Sequence, residues 1–174
     1  MSEPIRRLKA FIAANPDVSV FAPGATPKAI AAAEAEIGLV LPEEYKAFLR
    51  QFDGGFISVS GAKSDPNWDE DDARRESIWL FGLEKLVEEF HEQEDVWTLD
   101  RDWKGKWPYV PFSLVAGHEL LVFSAPTASG ERSVLDAWHE WGPKQWKPLQ
   151  PSFGHFLDAL VAGAGRTETI ARTQ

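Results

Sequence analysis

Residues 26–55 read TPKAIAAAEAEIGLVLPEEYKAFLRQFDGG, and this stretch decides the fold. Thr26 can cap a helix whose first residue is Pro27, a position where a missing N–H costs nothing. Ile30, Ala33 and Ile37 then lie along one face at helical spacing, and Gly38 ends the helix. Pro42 opens a second helix that carries Tyr45, Phe48, Leu49 and Phe52 on one side. Gly54 and Gly55 are expected to stop it and to supply the positive φ angles for a turn into a strand.

Outward from this core the pattern changes character. Upstream, Ile5, Leu8, Phe11 and Ile12 form the apolar stripe of a helix over 3–14, ended by Asn15-Pro16. Phe21 to Ala25 reads as a Pro/Gly linker. Downstream, Phe56 to Ser60 alternates as a half-buried strand, and the polar, acidic stretch Lys63 to Ser77 reads as a loop. Ile78 to Phe81 is a short strand. Leu83, Leu86, Val87 and Phe90 return to helical spacing, whereas 93–107 reads as irregular. Tyr109–Val115 and Glu119–Ser124 flank a turn at Ala116-Gly117-His118, and Arg132–His139 continues the strands. Trp146–Leu149 reads as an edge strand, because Pro148 cannot donate to a ladder. Ser152 caps a last helix bearing Phe153, Phe156, Leu157, Leu160 and Val161. The expected architecture is an α+β fold: N-terminal helices on a mainly antiparallel sheet, with a closing C-terminal helix. Residues 1–163 are expected to form one domain, and 164–174 a flexible tail.

The run Ile-Gly-Leu-Val-Leu-Pro-Glu-Glu-Tyr-Lys-Ala-Phe-Leu (37–49), followed by Phe-Asp-Gly-Gly (52–55), closely resembles the opening motif of the SUKH superfamily. That superfamily includes Smi/Knr-like regulators of fungal cell-wall assembly and many bacterial immunity proteins. Later elements occur in the family order: Trp107-Pro108-Tyr109-Val110-Pro111-Phe112, the 119–124 strand, the Trp138 strand and Ser152-Phe153-Gly154-His155-Phe156-Leu157. Asp53 stands where many relatives carry Asn, and both residue types tolerate turns. The resemblance implies a protein-binding domain instead of an enzyme. Pro42, Tyr45, Leu49, Gly54 and Gly55 are read as fold-defining, since cap, core and turn roles explain them without a ligand.

Charge is unevenly distributed along the 174 residues. The net charge is −9, yet residues 65–102 alone hold 14 acidic and 4 basic residues. Such a concentration repels nucleic acid and membrane surfaces and favours cationic partners; a solvated, solubilising face is the plainer alternative. Several of the eight tryptophans fall in or beside this segment. Trp79 and Trp138, on strands, are expected to be buried. Trp68, Trp97 and Trp103 sit among charges, where aromatic side chains can anchor a basic partner. The candidate partner-binding residues are therefore Asp65, Trp68, Asp69, Glu70, Asp71, Asp72, Glu92, Glu94, Asp95, Trp97 and Trp103.

Catalytic signatures are missing from the sequence. It contains no cysteine, no HExxH, no phosphate-binding loop and no GxSxG elbow. The His139-Glu140 pair would point to opposite faces of a strand. Asp69-Glu70-Asp71-Asp72 lacks the glycine turn of a calcium loop. No catalytic residue, metal site or cofactor is assigned. No apolar run is long enough for a membrane span, and the N-terminal one is too short and interrupted for a signal peptide, so a cytoplasmic location is expected. The resemblance and the charge together imply an immunity protein that covers the active site of a basic toxin. A regulatory scaffold like the cell-wall regulators is the second reading, and oligomeric state is left open.

Overall fold

The computed structural model describes residues 1–58, 77–99, 103, 105–115, 119–137 and 141–164. Among these the order is α1 (Glu3–Ala14), β1 (Ser19–Pro23), α2 (Pro27–Ile37), α3 (Glu43–Leu49), β2 (Phe52–Ser58), β3 (Ser77–Leu80) and α4 (Leu83–Leu99). There follow β4 (Val110–Val115), β5 (Glu119–Phe123), β6 (Val134–Ala137), β7 (Lys147–Gln150) and α5 (Phe153–Ala162). All seven strands form one antiparallel sheet in chain order, β1 to β7, so the α+β class read from the sequence holds.

Local chemistry sets the helix ends. The Thr26 hydroxyl accepts from Ala29 N–H, and Gly38 closes α2 in the left-handed region at φ 63°. Lys46 N–H donates to Pro42 O across the first turn of α3. Ser152 Oγ accepts from His155 N–H at the start of α5.

One sheet face carries the aromatic core. Tyr45 and Phe48 from α3, Phe112 from β4, Phe123 from β5 and Phe153 and Phe156 from α5 are all fully buried. Their rings meet at 4.3 Å for Phe112–Phe123, 5.0 Å for Tyr45–Phe153 and 5.3 Å for Phe112–Phe156. Such pairs add about 0.5–1.5 kcal/mol each beyond the area they bury. Helix α1 packs on α5, whereas α4 packs against α2 and β4.

Four features differ from the sequence reading. The 21–25 linker is largely strand β1, held on β2 with Val20 opposite Phe56 and Phe21 opposite Gly55. Five residues with a bulge before Pro23 are too short a pattern to read alone. Second, α3 stops at Leu49, and Phe52 opens β2 so that its ring can reach Phe21 at 5.1 Å. Third, the two glycines accordingly lie inside β2 and do not end a helix. Gly54 does have φ 82°, but a Cβ there would also sit 2.4 Å from Gly82 N, and one at Gly55 would sit 2.4 Å from the Phe21 ring. Close approach, not only a turn, demands glycine at both. Fourth, 93–99 is helical. Its helix is stitched by side-chain bonds four residues apart, Gln93 to Glu89, Trp97 to Gln93 and Thr98 to the Glu94 carbonyl, so no apolar stripe announces it. Trp138, the Ala116–His118 turn and the tail beyond 164 lie outside the described residues.

Candidate protein-binding groove

The motif residues serve as internal fasteners. The Tyr45 hydroxyl donates to the Phe81 carbonyl at 2.7 Å in the buried core. Glu44 Oε2 accepts from Gly154 N–H at 2.8 Å, at the N-terminus of α5. Asp53 Oδ1 accepts from Leu83 N–H at 2.8 Å, at the N-terminus of α4. Each carboxylate thus satisfies an orphan amide at the positive end of a helix that lies far downstream in sequence. Sequence reading missed both roles, because the partner amide is distant in the chain. Leu49 is fully buried, Gly54 is buried and Pro42 holds the cap position of α3.

On the sheet face away from the aromatic core, the register aligns one residue from each of six strands. Val20, Phe56, Trp79, Leu114, Leu120 and Ala137 follow one another as direct cross-strand partners. All six line a groove of about 940 Å³. Phe56 and Trp79 stack at 5.5 Å with their rings 19° from parallel. Trp79 is therefore half-buried in a groove floor instead of fully buried as expected.

Helix α4 supplies a wall through Lys85, Glu88, Glu89, Gln93, Val96 and Trp97. Its other stripe, Leu83, Leu86 and Phe90, is buried. Lys85 Nζ sits 3.0 Å from Glu88 and 3.3 Å from Glu89. Burial works against the Lys85 ammonium, but the two carboxylates outweigh it and raise its pKa, so it stays charged at neutral pH. Gln93 reaches Glu89 at 3.2 Å and Trp97 reaches Gln93 at 3.3 Å, which completes a polar ladder along the wall. The helix as a whole carries six acidic side chains and a single lysine.

The candidate partner residues fall into three groups. Asp65, Trp68, Asp69, Glu70, Asp71 and Asp72 lie outside the described residues. Glu92 and Asp95 are exposed on α4, and Glu94 is half-buried with an oxygen 3.7 Å from His91 Nδ1. Trp97 and Trp103 are packed inward. They join Trp107, Tyr109 and Trp146 in a second aromatic cluster, at 5.4 Å for Trp103–Trp107 and 5.9 Å for Trp97–Trp146. Trp103 serves that cluster, while Trp97 also lines the groove. The floor residues were invisible as a set, because strand alternation gives faces but not register.

Among the described residues, no three His, Cys, Asp or Glu side chains are grouped to hold a metal ion. Nor is any described helix long and apolar enough to cross a membrane. Among the described residues the arrangement is an apolar floor beside a wall that carries Glu88, Glu89 and Lys85.

Among the described residues, an antiparallel seven-strand meander, helices over its aromatic face and a groove on the other define a grooved α+β domain. The chain belongs to the SMI1 / KNR4 family (SUKH-1), whose model matches residues 24–159. No curated protein matched the chain in a sequence search. Members of this family are generally non-enzymatic, and membership supports a protein-binding immunity or regulatory role.

Proposed function

We propose that this protein is an immunity protein that neutralises a cognate bacterial toxin in the cytoplasm by covering its active site with an acidic surface. The observation that carries the reading is α4, a helix with six acids and one neutralised lysine that stands beside an open apolar groove. Glu92, Glu94, Asp95 and Trp97 belong to that helix. On sequence grounds the face also includes Asp65, Trp68, Asp69, Glu70, Asp71 and Asp72, with Trp103 beside it. Acidic surfaces accelerate encounter with a basic partner and raise specificity.

The test is direct binding to the protein encoded next to it in its native host, with toxicity measured with and without this chain. Tight binding to a basic neighbour that is lethal alone supports the reading. Recovery of several housekeeping proteins and no neighbour moves the chain to the regulatory role. The salt dependence of association tests the electrostatic part separately. A rate that does not change between low and physiological salt removes it.

A further inference from the structure

Four large hydrophobic side chains stand exposed among the described residues, and two of them, Val20 at 40% and Val96 at 55%, line the same groove. One lies on the edge strand β1 and one on the wall helix α4. Leu114, Leu120 and Ala137 line the floor of the same groove. Singly exposed apolar residues are ordinary, but a cluster around one concavity marks a contact surface.

The wall is chemically one-sided. Lys85 is already held by Glu88 and Glu89, and Gln93 and Trp97 are tied into the same ladder. Among the described wall residues, the carboxylate open to an incoming group is Glu88, 57% exposed and bound to Lys85 through Oε2, whereas Glu89 is 12% exposed with its oxygens engaged by Lys85 and Gln93. Carboxylate oxygen accepts hydrogen bonds and attracts cations. The depth and apolar floor suit side chains, and the charge suits lysine or arginine.

We infer that this groove is the seat of an extended, cationic segment of the partner protein, its apolar side chains on the Leu114–Leu120 floor and a lysine or arginine side chain against Glu88. This deepens the immunity reading and rests on it for the partner's identity. The surface it commits to is distinct from the solvent face of Glu92 and Asp95, neither of which lines the groove. An extended chain alternates its side chains, so one face can bury Leu or Val while its neighbours carry charge.

The experiment uses three synthetic twelve-residue peptides, alternating Leu–Lys, alternating Ser–Lys and alternating Leu–Glu, titrated into isotopically labelled full-length protein. Backbone amide shifts locate the contact. The expected result is saturable binding of the Leu–Lys peptide, at least about tenfold tighter than either control, with shifts at Val20, Leu114, Leu120 and Val96. Val96→Asp and Glu88→Lys should each weaken it by about tenfold, whereas Glu92→Lys should weaken it by less than about threefold. Both Val96 and Glu88 are exposed, and an unchanged melting curve verifies that the variants fold. Equal binding of the two lysine peptides, shifts confined to the Glu92 and Asp95 face, or association of the protein with itself through Val20 and Val96 each overturns the proposal. The neighbouring protein separates the two levels. If it binds wild type and Val96→Asp equally, the groove assignment fails and the immunity reading survives. If it does not bind at all while the Leu–Lys peptide does, the immunity reading fails and the groove stands.

Discussion

Glu44 and Asp53 belong to one short motif, yet each fastens the start of a different helix. Asp53→Ala should lower stability by about 1 kcal/mol in urea denaturation, the usual worth of a lost helix cap. Asp53→Asn keeps an acceptor at the same place and should cost only a few tenths of that. Tyr45→Phe leaves the ring stack intact but strands the Phe81 carbonyl in the core, at about 1–2 kcal/mol. Asp136 shows the opposite behaviour. Burial raises its carboxyl pKa, a shift that its cross-strand neighbour Lys147 only partly offsets. The folded protein therefore binds this proton more readily than the unfolded chain. The associated stability is complete below the ordinary carboxylate pKa of about 4 and is lost as pH rises through the raised value. Asp136→Asn should accordingly raise the melting temperature at pH 7, with the gain shrinking toward pH 4 in a series of thermal melts.

At the scale of elements, legibility follows how local the stabilising physics is. Helices α1, α2 and α5 announced themselves, because caps and apolar stripes act within a few residues. Strand β1 did not, since its place depends on Gly55 admitting the Phe21 ring from another strand. The second half of α4 did not, since polar side-chain pairs hold it instead of an apolar face. The acidic character of the candidate site was plain in the sequence, but its floor required six strands in register. The packing of Trp97 and Trp103 in a second aromatic cluster was not legible, because Trp107, Tyr109 and Trp146 come from elements that sequence spacing does not bring together. Gly82→Ala puts a methyl 2.4 Å from the Asp53 carbonyl oxygen, where only backbone can yield. A loss of about 1–3 kcal/mol is expected in denaturant titrations. Lys85→Gln removes the one cation on the groove wall and releases Glu88 and Glu89. Association with a cationic partner should then speed up several-fold at low salt, as read by stopped-flow mixing, and the gain should fade at high salt.

For the whole molecule, connectivity is the governing feature. Among the described residues every strand pairs with its sequence neighbours without a crossover, and the widest leap between helices is the docking of α1 on α5. Arg7 reaches Asp158 at 3.1 Å across that contact, an exposed pair worth less than about 1 kcal/mol. The family match begins at Gly24, so α1 and β1 precede the shared region, yet β1 contributes Val20 to the groove. The first and last described helices, α1 and α5, thus lie side by side. A flexible linker can run from the end of α5 to the start of α1 and the backbone be reopened at the exposed 125–130 turn between β5 and β6, which leaves the other hairpin registers in place. Such a circular permutant should fold to the same sheet, and it would carry its new termini between two neighbouring strands of the meander, a site for inserting a second domain.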